Sequence, residues 1–345
     1  MSTRGRSVAA VSLTGRSRAP LLLACFALVA SLMASCTGAP VGRPAAAPTV
    51  RIATLKGPTG VGMVHLMQAQ RAGTATNDYS FTVTDSPDEV AAKVASGDVD
   101  IAAVPTNLAA ALYAKTSGGV QLLAVNTLGV LYVLENGSSI HSVADLKGRT
   151  IYASGQGANP EYVMRFLLQQ NGLDPDTDVT LVFKSEHAEV ATLAAQGFAA
   201  VVLLPEPFVT TASLKNHDLR VALDLTAEWA KVVTGGSQLM MGGVIARTDF
   251  VAKHRAAVTA FLTEYQASIA KATTDVDGTA ALCEEFAIIP SAAVAKLALP
   301  RLGLTYLAGE QLETGIKGYF QVLYAANPKS LGGVIPDSGF FFTAQ

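Results

Sequence analysis

No acidic residue precedes Asp78. The first 18 positions instead carry Arg4, Arg6, Arg16 and Arg18. Charge is sparse along the rest of the chain as well: charged residues make up 15% of the 345, and the formal net charge is -2. A balance so near neutrality excludes a polyanion such as nucleic acid as the partner. The histidines, His65, His141, His187, His217 and His254, are scattered and have no paired spacing or cysteine neighbour. That pattern excludes the common metal-ligand motifs. A Gly-x-Ser-x-Gly elbow and a Walker-type phosphate loop are both missing. Glu186 and His187 are adjacent, and neighbours at a strand end face apart, so they make no acid/base pair. The sequence therefore assigns no catalytic residue, no metal and no cofactor.

Only three cysteines occur, Cys25, Cys36 and Cys283. After the arginines comes a nearly unbroken apolar run from Leu21 to Met33. It is shorter than the ~20 residues of a spanning helix. A basic start, a short apolar stretch and small residues before a cleavage point describe a secretory signal. Met33-Ala-Ser-Cys36 resembles the bacterial lipobox, with Met33 where leucine is usual. The resemblance implies cleavage after residue 35, a lipid on Cys36 and attachment to the outer face of a membrane. Cys25 is then lost, and Cys283 stands alone without a disulfide partner. Residues 36–48 are rich in glycine and proline, cannot build a core and read as a tether.

From Val50 the chain alternates strand and helix patterns, which predicts mainly parallel sheets with helices on their faces. Strands are expected at 50–54, 79–84, 99–104, 120–125 and 130–135, with helices between them. A second series starts near Asp145, with strands at 150–153, 179–183, 199–204 and 219–225. From Phe250 the patterns are helical. Val94-Ala-Ser-Gly-Asp-Val-Asp-Ile-Ala-Ala-Val-Pro105 aligns without gaps on Ala194-Ala-Gln-Gly-Phe-Ala-Ala-Val-Val-Leu-Leu-Pro205. In both, glycine ends a helix, an apolar strand follows, and proline opens the next helix. Two readings fit this match: convergence of a common unit, or two lobes of similar construction.

Four segments carry a family resemblance: Leu55-Lys-Gly-Pro-Thr-Gly-Val-Gly-Met63, Gly97-Asp-Val-Asp-Ile-Ala-Ala-Val-Pro-Thr-Asn107, Val143-Ala-Asp-Leu-Lys-Gly-Arg-Thr-Ile151 and Leu203-Leu-Pro-Glu-Pro-Phe208. In order and spacing the chain resembles the solute-binding proteins of ABC importers, in the branch of nitrate, sulfonate, taurine and thiamine-precursor binders. It departs at Phe198-Ala-Ala200, where many relatives carry acidic residues. The resemblance implies an α/β, two-lobed clamp of the periplasmic-binding-protein type II-like fold with two hinge strands. Residues 49–130 and 240–345 would form lobe 1, and 131–239 lobe 2, with the C-terminal helices packed mainly on lobe 1.

Ligands of open α/β sheets sit beyond the carboxyl ends of the strands. The first candidate loop offers Lys56, Thr59 and Gly60, where glycine admits a close backbone approach. The second offers Thr106 and Asn107; Thr106 can equally cap the helix. The third offers Gln156, Asn159 and Tyr162. The fourth offers Glu206 and Phe208, and Glu206 can equally serve the helix dipole. Asn126 and Thr127 at the hinge join them, as does Ser185-Glu186-His187. Trp229 is expected in the core. Helix N-termini and Lys56 favour an anion, whereas Glu161, Glu186 and Glu206 favour a cation or ring N–H donors.

The expected function is capture of a small polar organic or anionic solute and its delivery to an ABC permease with its ATPase subunits. The chain would act as a monomer. The alternatives are an enzyme like the menaquinone-pathway chorismate dehydratase, which shares the fold, and a ligand-presenting sensor.

Overall fold

The computed structural model describes residues 49–234 and 237–343. The expected export signal and tether, with Cys36, lie outside the described residues. The described residues form one compact unit.

The first series runs β1 (Val50–Leu55), α1 (Pro58–Val61), α2 (Val64–Arg71), β2 (Tyr79–Thr84), α3 (Pro87–Ser96), β3 (Ile101–Pro105), α4 (Thr106–Lys115) and β4 (Val120–Leu128). The second runs β5 (Leu131–Asn136), β6 (Thr150–Ser154), α5 (Asn159–Gln170), β7 (Thr180–Lys184), α6 (His187–Ala195), β8 (Val201–Pro205), α7 (Phe208–Lys215), β9 (Leu219–Asp224) and α8 (Leu225–Val232). Then follow β10 (Met240–Arg247), α9 (Thr248–Lys253), α10 (Arg255–Thr274), α11 (Val276–Glu285), α12 (Ala292–Ala298), β11 (Leu304–Leu307) and α13 (Gly309–Ala326).

Local chemistry accounts for several of these boundaries. Helix α3 has Pro87 in its first turn, and Ser86 accepts a hydrogen bond from Glu89 N at 3.2 Å. It stops at Gly97, whose φ of 84° is the left-handed cap that glycine adopts without strain. Val90 and Val94, four apart, form its buried stripe. Gly197 ends α6 in the same left-handed state, at φ 74°. The aligned prolines then differ. Pro105 caps α4 directly, whereas Pro205 ends β8 and α7 waits until Phe208.

The strands form two sheets. One has the order β11-β4-β10-β3-β1-β2 and the other β7-β6-β8-β5-β9. Apart from the added edge pair of β11 and β4, one strand in each lies antiparallel to both its neighbours: β10 between β3 and β4, and β5 between β8 and β9. Leaving β11 aside, the two orders are the same. This shared order favours two similarly built lobes over convergence of a single unit. The result is a two-lobed α/β clamp.

The chain passes from β4 to β5 through Gly129 and Val130, both left-handed, at φ 68° and 77°. That conformation is costly for a β-branched residue. Gly129 has a packing reason, because a Cβ there would lie 2.6 Å from Thr226 Oγ1.

The C-terminal helices do not all pack on the first lobe. Helix α13 touches both β4 and α5. Its Tyr319 ring lies 5.5 Å from Trp229, which lies 5.0 Å from Phe166. Tyr319, Phe320 and Leu323 are buried on one face, and burial of that stripe holds the helix across both lobes. Trp229 is 1% exposed and donates its indole N–H to Ser237 O at 2.9 Å, so it is a core residue. Two elements have no counterpart in the sequence reading, α8 and β11.

Candidate functional site

Between the sheets lies a cavity of about 120 Å3. Its walls come from the carboxyl ends of the strands and the segments that follow them, and include five prolines: Pro58, Pro87, Pro105, Pro160 and Pro205. Proline brings no N–H, so these walls are apolar. Leu131, Val130, Ala158 and Met241 extend them. The polar groups at the cavity are Thr59, Thr127, Ser154, Asn159, Ser185 and His187, with Lys56, Asp85 and Glu186 in its lining.

His187 is the first residue of α6, whose N-terminus carries no side-chain cap. Helix starts leave backbone N–H groups unpaired and carry partial positive charge. His187 Nδ1 is hydrogen-bonded to Ser154 Oγ, at the end of β6. Its ring stacks at a tilt on Phe208, with centroids 5.2 Å apart. His187 is half-buried, with part of its surface open to the cavity. This burial pushes the imidazolium pKa down to about 4, so the ring is neutral near pH 7.

Lys56 and Asp85 form an ion pair of 2.7 Å, and both are about two-fifths exposed. The pair neutralises that side of the lining, which leaves the uncapped start of α6 with the Glu186 carboxylate beside it. Gly242 brings three groups close together. A Cβ there would lie 2.5 Å from Asn126 Oδ1, 2.6 Å from Thr59 Cγ2 and 2.9 Å from Thr127 Oγ1. Among the described residues, no group of three His, Cys, Asp or Glu side chains could hold a metal ion.

The residues singled out in the sequence divide into three groups. Lys56, Thr59, Thr127 and Asn159 line the cavity. Others stand behind it and are occupied with protein partners. Thr106 donates its hydroxyl to Met240 O and accepts from Asn159 Nδ2 at 3.1 Å. Asn126 donates to Tyr265 Oη at 2.8 Å. Asn107 donates to Gly157 O at 3.1 Å, across the cleft. Glu206 is fully buried against Arg301 and Thr210. Gly60 is buried within α1, and Phe208 packs on His187. The third group is further out: Gln156 lines an adjoining hollow that shares Asp85, Gly155 and Glu186 with the cavity, and Tyr162 lies apart, beside Arg165.

Ser154, Asp85, Met241 and Gly242 were not among the sequence candidates. A hydroxyl at a strand end just before glycine is the one signal that could have marked Ser154.

Two sheets with one strand order, joined at a crossover and enclosing a cavity at their strand ends, define a solute-binding clamp. Comparison with known proteins gives its family. The model described as "ABC transporter, phosphonate, periplasmic substrate-binding protein" matches residues 78–287. That is more than half of the chain, and the chain belongs to this family. It is a substrate-binding component of an ABC transporter, which captures a small solute in the cleft and delivers it to a permease outside the cytoplasm.

No curated protein sequence matches the chain. Solved structures share its fold. An ABC transporter protein from Parabacteroides distasonis superposes with a TM-score of 0.71 at 23% identity, covering 86% of this chain and 99% of that one. The periplasmic aliphatic sulphonate binding protein SsuA from Escherichia coli gives 0.67 at 19% identity, with 86% and 92% covered. The alkanesulfonate-binding protein SsuA from Xanthomonas axonopodis pv. citri, bound to MOPS, gives 0.65 at 17%, with 82% and 94% covered.

Proposed function

We propose that the cavity takes a small organic oxyanion, a phosphonate- or sulfonate-type head carrying a short apolar tail. The observation that carries this is the Ser154–His187 pair at the uncapped start of α6. If Ser154 donates to Nδ1, the other ring nitrogen carries the proton and offers a neutral N–H to the cavity. Backbone N–H groups of α6 and the hydroxyl of Thr59 add donors suited to a tetrahedral anion. The proline-rich walls suit the tail. The sulfonate-binding neighbours support this ligand class, as does the matching family model.

The mechanism requires no covalent chemistry, and we read the protein as a monomer without enzymatic activity. Solute binds the open clamp, and its higher affinity for the closed form shifts the population. Residues 49–130 and 240–345 would move as one lobe and 131–239 as the other. The lipid would sit on Cys36 once residues 1–35 are removed, with 36–48 as the tether to the membrane.

Calorimetry on the detergent-purified chain tests the ligand class with methylphosphonate, ethanesulfonate, cytosine, cadaverine and chorismate. Heat with either oxyanion alone supports the reading. Binding of cadaverine or cytosine alone, or conversion of chorismate, overturns it. Mass spectrometry tests the anchor: the mature chain should begin at Cys36 and carry a diacylglycerol mass, and Cys36→Ser should abolish that addition.

A further inference from the structure

Glu206 follows β8 and is 0% exposed. One of its oxygens, Oε2, accepts hydrogen bonds from Thr210 N at 3.1 Å and Thr210 Oγ1 at 2.8 Å. Those partners belong to its own lobe, at the start of α7. The other oxygen, Oε1, is reached from the opposite lobe. Arg301 ends a 3-10 turn, Leu299–Arg301, that leads into β11 of the first sheet. Its Nη2 lies 2.6 Å from Glu206 Oε1 and donates to Thr210 Oγ1 at 2.8 Å. The approach to Oε1 is a contact of charges and not an aligned hydrogen bond. Helices α12 and α7 touch beside it.

We propose that Arg301 is the counter-ion that permits the clamp to close. In the closed form the first lobe covers Glu206. A carboxylate removed from water without a counter-ion is strongly disfavoured. Arg301 arrives on the covering lobe itself, so burial of the charge and its compensation occur in one movement. In the open form Glu206 is wetted and Arg301 is free, and neither carries a penalty. The pair thus sets the balance between the two forms without touching the solute, which makes Arg301 a positioning residue. This inference does not depend on which solute the cavity takes.

The test compares wild type, Arg301→Met, Arg301→Lys and the double variant Arg301→Met/Glu206→Gln. The first readout is the radius of gyration of the ligand-free body, residues 47–345, by small-angle X-ray scattering. The second is the affinity for methylphosphonate, with dissociation rate. Arg301→Met should enlarge the protein and weaken binding at least tenfold, chiefly through faster dissociation. The double variant should return both to within about threefold of wild type, because no bare charge remains to be buried; a tenfold change is about 1.4 kcal/mol. Arg301→Lys, which keeps the charge, should stay near wild type in size and covers the case in which Arg301→Met does not fold. An unchanged radius in Arg301→Met would overturn the proposal, as would a double variant as open as the single one. A merely structural role would lower the melting temperature and leave the radius of the folded protein alone. If methylphosphonate fails to bind wild type, the ligand reading falls and the radius alone decides this one.

Discussion

His187 Nδ1 and Ser154 Oγ are hydrogen-bonded at the edge of the interlobe cavity, joining the first residue of α6 to the last of β6. The bond fixes the imidazole plane, and burial keeps the ring neutral. Each partner removed costs a hydrogen bond, worth on the order of 1 kcal/mol. Ser154→Ala and His187→Ala should each weaken methylphosphonate binding by about tenfold, read by titration calorimetry. The pair acts as a unit, so the double variant should lose less than the product of the two.

The same histidine sets a pH dependence of stability. Its folded pKa, about 4, lies below the ordinary histidine value. Between those two values the unfolded chain binds a proton that the folded chain refuses. This contribution is therefore harmless above about pH 6.5 and turns against the fold as pH falls toward about 4. Melting temperatures should drop more steeply over that window for wild type than for His187→Asn.

Gly242 lies in the cavity wall, where an added methyl group would meet three side chains. Its Cβ would overlap Asn126, Thr59 and Thr127 together. Gly242→Ala should cost about 1–3 kcal/mol of stability by overpacking. Denaturant unfolding measures the first effect. Loss of methylphosphonate binding in the protein that remains folded measures the displacement of Thr59 and Thr127.

Ala287 offers the opposite case. It follows α11 with φ 56°, a left-handed conformation that favours glycine. The surrounding bonds form a helix stop: Ile288 N donates to Cys283 O at 2.8 Å, and Ala287 N to Glu284 O at 3.1 Å. The residue is exposed, so no packing is at stake. Ala287→Gly should raise stability by about 1 kcal/mol in urea unfolding.

In the second lobe, Glu135 is almost completely buried under a bracket of donors. Arg220 Nη2 lies 2.6 Å away, and Ser139 N and Ile140 N each donate at 3.0 Å. Glu135→Ala would leave two backbone donors without their acceptor, while Arg220, about a third exposed, keeps Ile140 O. A buried donor left unpaired costs about 1–3 kcal/mol. The loss should appear as a lowered denaturant midpoint.

Much of the fold could be read from sequence because its signals are local. Ser86, Pro87 and Gly97 bracket α3 within twelve positions, and Val90 and Val94 mark its buried face. Element α8 escaped because it is short and follows β9 directly. Asp224 caps it by accepting from Thr226 N at 2.8 Å, a sign easily taken for the end of a strand. Strand β11 escaped because four residues give too little alternation, and its partner β4 is far away in sequence. The cleft was harder. Asn107, Asn126 and Glu206 have the right chemistry in the right loops, yet each is held by a distant partner: Gly157, Tyr265 and Arg301. Which polar group faces a cavity and which supports it depends on such long-range pairs, and no local pattern encodes them.

The two sheets also differ in when they can be finished. Every strand of the five-stranded sheet comes from the unbroken stretch between Leu131 and Asp224. The six-stranded sheet begins with β1, at Val50, but needs β10 and finally β11, at Leu304–Leu307. A chain emerging N-terminus first can therefore complete its second sheet while the first still exposes the unpaired edge of β4. For the last third of its emergence the nascent protein carries a finished sheet attached to an unfinished one. That interval is when a chaperone has most to protect.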